Sequence, residues 1–179
     1  MTIWGMIVLG IVLGVGVIVV IAAVRPATFR IQRRATIAAA PERVFAQIND
    51  LVAWQAWSPW AKKDPKARSA FGPKTAGVGA TFEWRGNREV GRGRMMIIEA
   101  EPSRRMVLRL EFVEPFQATN TTEFTLQPAG SGTEVIWAIF GPQPLPARIM
   151  GVFMNMDAMV GKDFEAGLAS LRAIAEARG

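Results

Sequence analysis

Hydrophobic and polar positions divide this chain into two regimes. An unbroken apolar run occupies Ile3–Val24, with no charged residue, no proline and no strongly polar side chain. At ~1.5 Å per residue a helix over this run reaches the ~30 Å of a bilayer core. Trp4 stands where an interfacial aromatic would sit, and Arg25 with Pro26 ends the run abruptly. A cleaved secretory signal fits less well: no Lys or Arg precedes the run, the run exceeds a usual signal core, and Ala22-Ala23-Val24 is a poor cleavage site. The expectation is a membrane anchor over residues 1–25 and one domain over residues 26–179.

After the run the pattern changes to short periods. Residues 29–37 alternate apolar and polar positions, as a half-buried strand does. Pro41 at a first helical position, then Glu42, then Val44, Phe45 and Ile48 on one face predict a short amphipathic helix. Leu51–Trp57 predicts a second, which Pro59 is expected to stop. A Gly, Pro and Lys loop at 72–79 leads to five strands at 81–85, 89–100, 105–113, 117–127 and 133–140. Their separators are brief, among them Gly86-Asn87, Glu114-Pro115 and Gly130-Ser131-Gly132, so the strands must be antiparallel neighbours. Residues 146–177 carry a helical stripe of Val160, Phe164, Leu168, Leu171 and Ile174, with Gly151, Gly161 and Gly167 placed to bend or break it. The order predicts an α+β domain whose one curved antiparallel sheet buries its apolar face on a long C-terminal helix.

Composition narrows the chemistry. A chain of 179 residues has room for a single core beside the anchor. Half of the residues are hydrophobic and a fifth charged, which excludes a disordered chain. There is no Cys, His or Tyr, so a Cys nucleophile, a His base, a His-ligated metal and a Tyr acid are all excluded. No metal or cofactor site and no catalytic residue is assigned. The net charge of +6 lies entirely after the apolar run. Arg25, Arg30, Arg33 and Arg34 follow that run closely, so the positive-inside rule places the domain in the cytoplasm. No nucleic-acid reader motif accompanies the basic residues, and no nucleic-acid partner is expected. Gly10 and Gly14 form a small-xxx-small pair through which two anchors would make a homodimer; the competing reading is ordinary membrane-helix glycine content.

Four stretches, in order, carry a resemblance. They are Ile37-Ala38-Ala39-Ala40-Pro41-Glu42-Arg43-Val44-Phe45, Trp54-Gln55-Ala56-Trp57-Ser58-Pro59-Trp60, Gly130-Ser131-Gly132-Thr133-Glu134-Val135-Ile136-Trp137, and Val160-Gly161-Lys162-Asp163-Phe164-Glu165-Ala166-Gly167-Leu168. With them the domain resembles the START-like or SRPBCC superfamily, of the polyketide cyclase/dehydrase and lipid-transport type. The resemblance implies a helix-grip fold, a bent sheet wrapped on the C-terminal helix with a cavity between. It implies no particular reaction, because members range from lipid and hormone binders to cyclases.

Candidate site residues follow from strand parity and helix position. Trp84, Phe112, Phe124 and Trp137 alternate with polar neighbours and so share the concave face, as core filling or as ligand contacts. Asn120 and Thr122 put polar groups on that same face, where a buried group needs a partner. Trp54, Trp57 and Trp60 recur every three residues, as a packed corner or as a wall at a cavity mouth. Phe153 and Met156, among Met150, Met154 and Met159, read as an adaptable pocket, as core, or as a lip near lipid. The ligand-contact set is therefore Trp57, Trp84, Phe112, Asn120, Thr122, Trp137, Phe153 and Met156. The strand residues Glu83, Glu89, Glu99, Glu111 and Glu123 are expected to pair with arginines such as Arg85, Arg94 and Arg109 rather than to catalyse. Binding of a hydrophobic small molecule or lipid is the leading functional expectation. A cyclase- or dehydrase-type enzyme using a carboxylate with Asn120, and a scaffold with a filled core, stand as alternatives.

Overall fold

The computed structural model describes residues 3–177. The apolar run forms one helix, α1 (Ile3–Val24), exposed along nearly its whole length. It is long and apolar enough to cross a membrane. Pro26 closes it, and β1 (Thr28–Ile37) follows, its inner face carrying Phe29, Ile31, Ala35 and Ile37.

Three short helices come next: α2 (Pro41–Asn49), α3 (Leu51–Trp57) and α4 (Pro59–Lys63). Pro41 occupies a first-turn position of α2, and the Asp50 side chain caps α3 by accepting from the Val52 amide. Pro59 ends α3, as expected, and also opens α4, because its missing N–H is needed by neither helix there. Six strands complete the sheet: β2 (Arg68–Phe71), β3 (Thr81–Arg85), β4 (Arg92–Glu101), β5 (Arg105–Glu114), β6 (Ala118–Ala129) and β7 (Gly132–Pro142). The seven strands run β1-β7-β6-β5-β4-β3-β2, and every pairing is antiparallel.

Two helices follow, α5 (Leu145–Phe153) and α6 (Met156–Ala177). The expected helical segment is thus broken, but not at a glycine. The break falls at Met154 and Asn155, where Asn155 Oδ1 accepts the Ala158 amide and restarts the helix. Gly161 and Gly167 instead permit close packing: a Cβ at 161 would collide with the Arg33 guanidinium, and one at 167 would lie 2.7 Å from the Trp137 ring. Their interior positions, unfavourable for a helix on propensity, are explained by that contact. The curved sheet holding α6 is a helix-grip fold.

At the centre of the core stands Trp137, 1% exposed. Phe164 of α6 stacks on it at 4.0 Å, Phe124 at 5.0 Å, and Trp54, Trp57 and Trp60 meet it edge-on. Sheet, short helices and α6 therefore converge on one ring.

Arg33 ties β1 to α6. Sharing strand parity with Ile31 and Ala35, it turns inward: its guanidinium donates to Asp157 Oδ2 at 3.0 Å, the Asp157 carbonyl at 3.0 Å and Glu165 Oε1 at 2.8 Å. The Arg33 bond, opposed by desolvation, holds the Asp157 carboxyl below its ordinary 3.8. A carboxylate depressed in the folded state adds stability above its unfolded pKa and loses it as pH falls through the folded one, so this contribution is complete above about pH 4 and fades below. Arg33→Met is expected to lower the melting temperature at about pH 7, and the gap to the parent should narrow by about pH 2 in circular-dichroism melts. A gap that does not change with pH would show that the lost contribution is packing alone.

Candidate functional site

Between sheet and helices lies a cavity of about 410 Å³. Alternate residues of β3, β4 and β5 form its floor, with Phe82, Trp84, Met95, Leu108, Leu110 and Phe112 facing in. The far wall is Thr122 of β6 with Trp137 and Ile139 of β7. Trp54, Ser58, Trp60 and Ala61 of the short helices and Val160 and Phe164 of α6 close it from above. The volume lies within the ~300–1,000 Å³ usual for small-molecule sites. A wider depression of about 510 Å³ at Thr28, Phe29, Arg30, Phe140 and Gly141 is bounded by β1 and β7 only, so it encloses nothing.

Two polar groups sit inside the apolar lining. Thr122 and Ser58 are each 5% exposed and both line the cavity, and the Ser58 side chain makes no capping bond to α4. Such groups favour a guest that supplies one or two hydrogen bonds. Trp137 Nε1 is also buried without a partner.

Charge appears only at the rim. Glu89 and Asp163 both bind Lys63 Nζ, at 3.2 and 2.8 Å, linking the β3–β4 turn, α6 and α4. Burial pulls the Lys63 ammonium down, but the bonds to Asp163 and Glu89 outweigh it and its pKa is raised, so it stays charged. Asp64 accepts the Asn87 amide at 2.7 Å and the Lys66 amide at 3.1 Å. Trp84 Nε1 donates to the Val90 carbonyl at 3.2 Å, fixing the same turn from within. Asp64, Glu89 and Asp163 contribute to the lining, whereas no Lys or Arg among the described residues does.

Of the residues expected at a site, Trp84, Phe112, Thr122 and Trp137 line this cavity. Trp57 lies outside it, fully buried in the packed corner with Nε1 donating to the Gln47 carbonyl. Its neighbours Trp54 and Trp60 take the lining positions instead. Asn120 lies at the strand end over Gly141, where a Cβ would strike its Oδ1, and it is not part of the lining. Phe153 and Met156 are 69% and 42% exposed and are not part of the lining. Ser58, the rim carboxylates and Lys63 were not expected; a hydroxyl before Pro59 reads as a helix cap, and nothing in the spacing sets it against the sheet. Arg94 pairs with Glu111, and Arg105 with Glu99 and Glu123, on the outer face. Glu89 departs from that expectation, since it lies in the β3–β4 turn and binds Lys63. Near it Gly91 has φ +68°, and the register shifts between Arg92 and Gly93, a bend at the start of β4.

A bent antiparallel sheet gripping one helix over an enclosed apolar cavity defines the START-like class of domain. The profile of the family "Polyketide cyclase / dehydrase and lipid transport" matches residues 28–176, and the chain belongs to that family. Comparison with curated proteins finds no match. Among solved structures, a protein from Chromobacterium violaceum is 20% identical, covering 85% of this chain and 99% of its own at a TM-score of 0.59. One from Mesorhizobium loti is 15% identical over 84% and 99% with a TM-score of 0.62, and one from Rhodobacter sphaeroides 23% identical over 85% and 94% with a TM-score of 0.60. At these identities the likeness is one of fold.

Proposed function

We propose that this protein is a single-pass membrane protein whose cytoplasmic domain takes up an uncharged apolar molecule, a small hydrophobe or a lipid, from the adjacent bilayer. The observation that carries the reading is the cavity: mostly apolar, with the Thr122 and Ser58 hydroxyls inside it, and with carboxylates but no Lys or Arg in its lining, the one rim ammonium, Lys63, being held by Glu89 and Asp163. An anionic headgroup entering there would lose water beside Asp64, Glu89 and Asp163, and the one ammonium at the rim, Lys63, is already held by two of them. An alcohol, ester or carbonyl needs only the hydrogen bonds that hydroxyls such as those of Thr122 and Ser58 can supply.

Anchoring is supported by the exposure of α1, where a core helix would be mostly buried, and by the basic residues behind it. Delipidated full-length protein is expected to bind a fluorescent fatty alcohol at least about tenfold more tightly than the fatty acid of equal length at neutral pH, since the carboxylate carries an unpaired charge into the site. Equal affinities would remove the charge argument, and uptake of neither would count against the binding reading altogether.

A further inference from the structure

Six of the eleven exposed large hydrophobic side chains outside α1, among the described residues, fall within residues 145–159. They are Leu145, Met150, Phe153, Met154, Met156 and Met159, the most exposed being Phe153 at 69%. Such a concentration needs an occupant, because large apolar side chains left in water on a monomer are usually scattered singly.

The position of α5 identifies that occupant. It packs against α1, and Arg148 Nη1 donates to the carbonyls of Ala23 at 3.1 Å and Arg25 at 3.2 Å. These are the last carbonyls of the anchor, the level at which a spanning helix leaves the hydrocarbon. The apolar patch thus adjoins the uncovered surface of α1 itself. From Val135 to Met156 the chain holds no carboxylate, and Arg148 is its one charge. The one carboxylate inside the patch, Asp157, is bound by Arg33. A second protein surface could cover the patch but not the anchor beside it, whereas a bilayer covers both, and an anionic one meets Arg148 and no unpaired carboxylate there. Flexible Met side chains with a Phe at the helix end suit insertion among disordered acyl chains.

Resting on the anchoring reading above, we propose that α5 and the first turn of α6 form a second, interfacial membrane contact. This contact lies flat at the leaflet where α1 emerges. It also continues into the cavity: Met156, Val160 and Phe164 recur every four residues on one face of α6, the first exposed and the other two in the lining. The lip of the cavity then meets acyl chains directly, and an apolar guest passes from lipid to lining along that stripe.

The absence of Cys makes the test clean. Phe153→Cys, Val12→Cys and Ser131→Cys, each in the full chain, are labelled with an environment-sensitive fluorophore in nanodiscs of phosphatidylcholine and phosphatidylglycerol. Ser131 is exposed in the β6–β7 turn, at the opposite end of β7 from the anchor, and serves as the water reference. The label at 153 is expected to lose more than about half its emission to acyl-chain-brominated lipid and little to aqueous iodide, as at 12 and opposite to 131. A label at 153 that follows 131 while 12 sees lipid overturns the inference and leaves the anchor standing. Shielding of 153 from both quenchers also overturns it, since a protein surface then covers the patch. Iodide access at 12 overturns the anchor reading and this inference with it.

Discussion

Trp137→Ala is expected to lower the stability of the domain by about 3–5 kcal/mol, the range for truncating a buried aromatic. That is a large share of the ~5–15 kcal/mol that domains possess. The ring is 1% exposed, lies almost parallel to Phe164 at 4.0 Å, and is flanked by Phe124 and three further tryptophans. Removing it opens a void at the one point where β6, β7, α3, α4 and α6 all meet, and neighbours that are themselves held cannot collapse into it. At ~2–4 °C per kcal/mol for a domain of this size, the melting temperature should drop by about 6–20 °C in circular-dichroism melts. Trp137→Phe separates packing from polarity: the indole N–H it removes is buried without a partner, so that variant should lose less than about 1.5 kcal/mol. Equal losses in the two variants would show that the N–H, and not the stacked ring, is what the core requires.

Leu110→Trp is expected to reduce affinity for an apolar probe by about tenfold or more, ~1.4 kcal/mol, while moving the melting temperature by only a few degrees. Leu110 points from β5 into the cavity and is only partly buried, so the added rings occupy open volume and do not force apart a packed core. Val113→Trp is the companion variant: on the same strand but outside the lining, at 42% exposure, it adds the same side chain and should leave binding unchanged. Fluorescence titration distinguishes the outcomes. Loss of binding in both variants would point to a general disturbance of β5, and loss in neither would show that the guest sits elsewhere.

The two-residue period of the strands was readable because each inner face is buried and each outer face is not. β1 and β3–β7 appear close to their expected bounds, and parity alone places Trp84, Phe112, Thr122 and Trp137 on the concave face. β2 was illegible for the same reason in reverse: all four of its residues are exposed, so no contrast exists to read. Parity reports the face but not the position along it, which is why Asn120 shares a face with Thr122 yet covers Gly141 at the strand end. The two-turn helix α3 is too short for its sequence to say which tryptophan turns toward the cavity, and Trp54 holds the lining position expected of Trp57. Phe153 and Met156 follow a helical apolar pattern normally read as burial, yet both are exposed, next to the helix that packs on α1. Arg33 was grouped with its basic neighbours, and only the fold shows its charge bound to Asp157 and Glu165.

The central claim is that the cavity holds an uncharged apolar guest. Native mass spectrometry of the full-length protein, released gently from its own membrane, measures this directly. The account predicts a reproducible adduct that is neutral and apolar, present in the parent and in Val113→Trp and absent in Leu110→Trp. An unliganded mass in all three, persisting after an excess of neutral lipid is added, would contradict it.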